Sequence, residues 1–306
     1  MNGSNRGKAD RLLDAEDRAS IKGSLPYDVF TMDLQSRSRS VPRSVRPSRR
    51  CVLRALGAVG LSFFATGRAH AQPAATVAAA SDLKFALEEV AAQFERQTGQ
   101  KLRLVFGSSG HFKTQILQGA PFHLFLSADE DFVFELADAG KTIDRGRAYA
   151  VGRIGIMVPP GSPLKPDGEL RDLAAALKDG RLQKFAIANP EHAPYGTRAM
   201  EALKHAGVWE AIQPRLVYGE NISQATQFAV SGSTQGGIIA LSLALAPAVA
   251  STGRFALIPQ AWHQPLKQRM VLIKDAPPAA RAFHDYIATP AAQAVMKRYG
   301  FEMPPP

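Results

Sequence analysis

Short apolar runs alternate with amphipathic stretches of helical period along most of this chain. Thr76–Ala80 is small, apolar and extended, and from Asp82 the apolar residues Leu83, Leu87, Val90 and Phe94 recur at helical spacing. The pattern predicts a strand, then a helix over about 82–97 that Gly99 stops. Leu102–Phe106 reads as a second strand, followed by Gly107-Ser108-Ser109-Gly110 and a short helix carrying Ile116 and Leu117. Phe122–Ser127 is a buried strand leading into a helix that reaches about Ala139. Ala148–Val158 reads as one long apolar strand ended by Pro159-Pro160-Gly161. Beyond a short helix at Leu170–Leu177, strands are expected at Phe185–Ala188, Leu216–Tyr218, Gly236–Ser242, Phe255–Ile258 and Met270–Ile273. Helices are expected at 197–205, 223–230, 277–287 and 290–298. This alternation argues an α/β protein with parallel sheets. The 235 residues from Gln72 onward, with a crossing strand in mid-chain, suit two lobes better than one sheet.

Four of the strand-to-helix junctions are rich in hydrogen-bond donors. They centre on Ser81-Asp82, on Ser108-Ser109, on Tyr195-Gly196 and on Asn221-Ile222-Ser223. Ser81 stands where an N-cap belongs. A helix start directs unpaired N–H groups and the positive end of the helix dipole at one place, which suits an anion. In open α/β sheets, ligands lie beyond the C-terminal ends of the strands, so four such junctions can face one another across a cleft. The donors are hydroxyls and amides, with Lys113 and Arg198 only later in their helices. A fully deprotonated tetrahedral dianion accepts from every side and is held by such neutral groups, each contributing roughly 1.5–3 kcal/mol. A protonated oxyanion requires an acceptor as well.

Charge separates the N-terminus from the rest. The formal net charge is +10, but residues 1–71 hold 13 Lys/Arg against 6 Asp/Glu, and the remainder holds 24 against 21. A nucleic-acid reading of the body is therefore discarded. Arg49-Arg50 precedes an apolar run, Ala55–Ala65, and Ala69-His70-Ala71 fits a small-x-small cleavage site. Residues 48–71 resemble a twin-arginine export signal, and the run is short for a bilayer span. Residues 1–47 have no apolar period and are expected to be a disordered extension, unless translation begins at Met32. Cys51, the only cysteine, falls within the signal, so neither disulfide nor thiol chemistry is expected beyond it.

Several segments together resemble the molybdate-binding protein of the molybdate ABC importer, the ModA family. They are Ala79-Ala80-Ser81-Asp82-Leu83, Phe106-Gly107-Ser108-Ser109-Gly110, Gly119-Ala120-Pro121, Leu126-Ser127-Ala128-Asp129, Asn189-Pro190 with Ala193-Pro194-Tyr195-Gly196, Glu220-Asn221-Ile222-Ser223-Gln224 and Arg298-Tyr299-Gly300-Phe301. The resemblance spans about 76–302. It implies a two-lobed, type II periplasmic-binding-protein fold, each lobe a mixed, mostly parallel sheet flanked by helices. Lobe 1 would comprise 76–155 and 265–306, and lobe 2 would comprise 156–264. The implied ligand is molybdate, or tungstate, bound as an oxyanion with no cofactor. The implied partner is an inner-membrane permease, and the protein would act as a periplasmic monomer. Carried over by motif, Ser81 and Ser109 would donate hydroxyl and amide, and Asp82, Tyr195 and Ile222 would donate amides. Ser108, Asn221 and Ser242 are weaker candidates. Some members carry a ligand-binding tyrosine where this chain has Ala240; the Tyr195 phenol would supply that donor instead. The Asp82 carboxylate would turn away from a dianion, or else serve a protonated one.

Other classes have less support in the residues. The seven histidines include no H-x-x-x-H pair, and His111 and His123 read as structural. Glu191-His192 is the only pair that suggests hydrolase-type chemistry. A receptor for sulfate or phosphate on the same fold is the principal alternative.

Overall fold

The computed structural model describes residues 74–304. The extension expected over 1–47 and the signal expected over 48–71, with Cys51, lie outside the described residues. In chain order, β1 (Ala75–Ala80) passes through a 3-10 turn, Ser81–Leu83, into α1 (Lys84–Thr98). Then come β2 (Leu102–Gly107), α2 (Ser109–Leu117), β3 (Leu124–Ser127), α3 (Glu130–Asp138) and β4 (Arg147–Gly152). A second set follows: β5 (Ile154–Val158), α4 (Arg171–Lys178), β6 (Phe185–Ala188), α5 (Pro194–His205), α6 (Trp209–Ile212), β7 (Leu216–Gly219) and α7 (Ile222–Val230). It continues through β8 (Gly237–Ala240), α8 (Leu241–Ala244), α9 (Pro247–Ala250) and β9 (Arg254–Leu257). The chain closes with β10 (Leu266–Leu272), α10 (Pro278–Ile287) and α11 (Pro290–Arg298).

The strands form two five-stranded sheets, ordered β2-β1-β3-β10-β4 and β7-β6-β8-β5-β9. Helices flank both, giving a two-lobed α/β fold of the type II periplasmic-binding-protein class. Parallel and antiparallel pairings divide evenly in each sheet: β1 is parallel to β2 and β3, whereas β10 is antiparallel to β3 and β4. In the second sheet β6 is parallel to β7 and β8, whereas β5 is antiparallel to β8 and β9. The antiparallel strands are those next to the passages between the sheets, where the chain must arrive and return beside itself.

Side-chain alternation assigns the cores. In the first sheet Val77, Ala79, Leu124, Leu126, Met270 and Leu272 face Leu87, Val90, Phe94 and Phe283. Their neighbours Ala78, Phe125 and Val271 face Phe112, Ile116, Val133 and Leu136 on the other side. A strand covered on both faces reads as an unbroken apolar run, which is why β1 lacks polar alternation. Helix α1 buries Ala86, Leu87, Val90 and Phe94 and ends at Gly99, whose φ of 71° permits its amide to bond Glu95 O at 2.8 Å.

The long strand expected over Ala148–Val158 is two strands. Arg153 interrupts it, and there the chain passes from the first sheet to the second, so β4 and β5 belong to different sheets. Hydrophobicity is continuous across the break because both halves are buried, so period alone could not find it. The strand expected over Gly236–Ser242 likewise ends at Ala240, where α8 begins.

Gly152, the last residue of β4, lies against α5. A Cβ at this position would overlap the Tyr195 hydroxyl and approach the Gln268 amide to 2.9 Å. Gly152→Ala is therefore expected to destabilise the fold by about 1–3 kcal/mol. Chemical denaturation would show a lower midpoint with an unchanged slope.

Candidate functional site

A small pocket lies where the two sheets meet, lined by residues from four helix starts and from the end of β3. Ala80, Ser81 and Asp82 follow β1, Gly107–Ser109 follow β2, and Ala128 follows β3. Ala193–Tyr195 follow β6, and Asn221 and Ile222 follow β7. All five contributions leave the C-terminal ends of parallel-paired strands, the end where backbone amides point outward. Among the described residues, no Lys or Arg lines the pocket.

Each serine has one proton, and its partners decide where that proton goes. Ser81 does not cap a helix: Ala80 holds the N-cap position, and Ser81 Oγ accepts from the Ser223 amide at 3.3 Å. Ser109 Oγ accepts from the Ala128 amide at 3.0 Å. Neither hydroxyl donates to another described residue, so both protons are available to the pocket. Ser108 differs, because its hydroxyl donates to His192 O and sits 3.0 Å from His192 Nδ1. That side chain ties the two lobes together and has no proton left for a ligand. The Asn221 side chain is also engaged, capping α7 by accepting from Ser223 and Gln224 amides at 3.0 and 3.1 Å.

First-turn amides lack an intrahelical acceptor. Among them, Gly110 N donates to His192 O at 3.0 Å, an approach that a Cβ at Gly110 would block. The amides of Ser109, Tyr195 and Ile222 have no acceptor among the described residues and belong to lining residues. With the hydroxyls of Ser81 and Ser109, five donors from both lobes converge on one small space.

The Tyr195 phenol does not supply a further donor. It donates to Asp82 Oδ2 at 2.9 Å, and Gln268 Nε2 donates to the same carboxylate oxygen at 2.7 Å. Tyr149 in turn donates to Gln268 Oε1 at 2.7 Å. The Asp82 carboxylate is thus bound within a buried network joining both sheets, with Oδ1 left unpartnered. Ser242 lies outside the pocket, donating to Asp82 O at 2.8 Å, and Ala240 ends β8 without contributing a donor. The signal missed in the sequence was Gln268, a polar residue in the middle of β10 that is wholly buried. It stands between Lys267 and Arg269, so no local pattern marks it as buried; only its partners do, since an unpaired amide there would cost about 1–3 kcal/mol.

Of the two histidines read as structural, one keeps that setting and the other does not. His123 is structural, its Nδ1 accepting from the Thr76 amide at 2.9 Å. His111 and His192 instead stack at the rim of the pocket beside Glu220, with ring centroids 3.8 Å apart. Glu191, the neighbour expected to pair with His192, bonds Asn189.

Burial raises the Asp82 carboxyl from its ordinary 3.8 to about 6, against the opposing bonds from Gln268, Tyr195 and nearby amides. A raised pKa means the folded state holds its proton up to a higher pH than the unfolded chain does. The associated stability is complete below about pH 4 and is lost as pH rises through about 6, amounting to roughly 3 kcal/mol. Denaturation midpoints measured from pH 4 to 8 should fall across this interval, and Asp82→Asn should remove that part of the slope.

The profile of the family described as "Bacterial extracellular solute-binding protein" matches residues 75–302. The molybdate-binding protein ModA of Rhodobacter capsulatus is 37% identical over 229 residues, covering 73% of this chain and 86% of that protein. ModA of Azotobacter vinelandii is 37% identical over 251 residues, covering 81% of this chain and 95% of that protein. A solved periplasmic molybdate-binding protein from Azotobacter vinelandii superposes with a TM-score of 0.68 at 29% identity, covering 76% of this chain and all of the other. Together with a two-sheet fold whose strand ends enclose a small donor-lined pocket, these matches show that the chain belongs to the ModA family of bacterial extracellular solute-binding proteins.

Proposed function

We propose that this protein captures molybdate, and tungstate with it, as a tetrahedral dianion in the pocket between the lobes, and delivers it to an ABC importer permease. The observation that carries this reading is the convergence of five neutral donors from both lobes on one small space without a lysine or arginine. The names of the relatives supply the molybdenum, since fixed dipoles alone do not tell one dianion from another of similar size. The ligand residues in this reading are Ser81 and Ser109, through hydroxyl and amide, and Asp82, Tyr195 and Ile222, through amides.

Binding proceeds by lobe closure. The anion accepts from Ser81 and Ser109 on one side and from Tyr195 and Ile222 on the other, so it is fully coordinated only when the lobes meet. Its differential affinity for the closed state drives the shift in population. Direct bonds between the lobes, including Ser223 Oγ to Ser81 O at 2.8 Å and Arg198 to Asp129 at 3.1 Å, support the same closed arrangement. Neutral donors suit release as well as capture, because no buried counter-charge is left exposed when the anion departs. The protein is read as a non-enzymatic periplasmic monomer with no cofactor.

Fluorescence of Trp209 and Trp262, titrated with each anion near neutral pH, tests this reading. Molybdate and tungstate are expected to saturate the signal at one per chain, with sulfate and phosphate silent. Ser109→Ala removes one charge-assisted bond and should weaken molybdate binding about 10- to 100-fold. A response to phosphate that is strongest where it is monoprotonated would replace this reading with a phosphate receptor using Asp82 as acceptor. Export is tested separately: Arg49→Lys with Arg50→Lys preserves charge and is expected to keep the protein out of the periplasmic fraction.

A further inference from the structure

At the rim of the pocket, side chains from both lobes bring three ligand-type atoms together. His111 is on α2 of the first lobe, while His192 and Glu220 are on the loops after β6 and β7 of the second. One nitrogen from each histidine and one Glu220 oxygen lie within 4.8 Å of one another. His111 Nδ1 is 2.8 Å from Glu220 Oε1, and His192 Nε2 is 3.9 Å from Glu220 Oε2. We propose that His111, His192 and Glu220 form a binding site for a divalent transition-metal ion that clasps the two lobes together.

The bonding around His192 prepares it for this role. The Ser108 hydroxyl gives its only proton to His192 O, so toward the ring Ser108 Oγ acts as acceptor. The proton is therefore fixed on Nδ1, and Nε2, which faces Glu220, presents its lone pair. A ligating imidazole commonly has its second nitrogen anchored in this way. Glu220 and His111 are both half exposed, giving an ion a path from solvent. Tetrahedral bonds of 2.0–2.1 Å need ligand atoms about 3.3 Å apart, within reach of rotations at these two outer side chains. Two imidazoles and one carboxylate select Zn²⁺, Cu²⁺ or Ni²⁺ over Mg²⁺ or Ca²⁺.

Each ligand is also one or two residues from the pocket: His111 follows Ser109-Gly110, His192 precedes Ala193, and Glu220 precedes Asn221-Ile222. The metal site exists only when the lobes are together, so metal and oxyanion favour the same state and each tightens binding of the other by the same factor. This coupling rests on the oxyanion-capture reading; the metal site itself does not.

Isothermal titration of the full chain with ZnCl₂ in phosphate-free buffer, with and without saturating molybdate, tests both parts. In wild-type protein, one Zn²⁺ per chain is expected at a site that His111→Ala and Glu220→Gln each weaken at least about tenfold. Added molybdate should tighten that site severalfold, and Zn²⁺ should slow molybdate release. Metal-free molybdate binding should be unchanged in both variants, which also reports that they fold. Zn²⁺ affinity equal in wild type and variants would overturn the site. Loss in the variants without any response to molybdate would overturn the clasp, whereas absence of molybdate binding in metal-free wild type would overturn the oxyanion reading instead.

Discussion

The buried carboxylate of Asp82 is the point on which the two lobes are set. It follows β1 of the first sheet, accepts from Tyr195 on the first turn of α5, and accepts from Gln268 on the returning strand β10. A carboxylate wholly removed from water is costly unless it is bonded, so the two donors on Oδ2 cannot drift without a large loss. The network therefore fixes where the start of α5 stands relative to the turn that leads into α1. Gly152 is part of the same constraint, because only a residue without a side chain lets β4 pass beneath the Tyr195 hydroxyl.

With that frame set, the pocket's chemistry follows from where a few protons are spent. Ser108 and Ser109 are adjacent and chemically alike, yet they do different work. Ser109 receives an amide proton from Ala128 and so presents its own proton to the pocket, whereas Ser108 gives its proton to the facing lobe. Tyr195 divides in the same way within one residue, its phenol committed to Asp82 and its amide left without an acceptor. The result is a set of fixed dipoles that need little rearrangement to meet an anion, with the nearest carboxylate neutralised in part by burial and held by its own partners.

The meeting of the two lobes brings more than the pocket residues together. His111 reaches His192 and Glu220 only because α2 and the two opposing loops meet at the rim. The three lie 81 and 28 residues apart in sequence, spacings that match no metal motif. Each is unremarkable until the second lobe arrives.

The amino-acid sequence by itself determined the α/β class, most element positions and the four donor-rich junctions. Those features are local: helical period, glycine stops and apolar runs act within a few residues. That Ser81, Ser109, Tyr195 and Ile222 line one pocket was legible for the same reason, since a strand leading into a helix start exposes amides wherever it occurs. Tertiary structure decided the rest. Continuous burial hid the break at Arg153, because hydrophobicity does not change where a chain leaves one sheet for another. The commitments of the Tyr195 phenol, Ser108 and Ser242, and the importance of Gln268, depended on partners 73 to 186 residues away. A hydroxyl's donor or acceptor role is settled by what it faces, and only the packed lobes determine that.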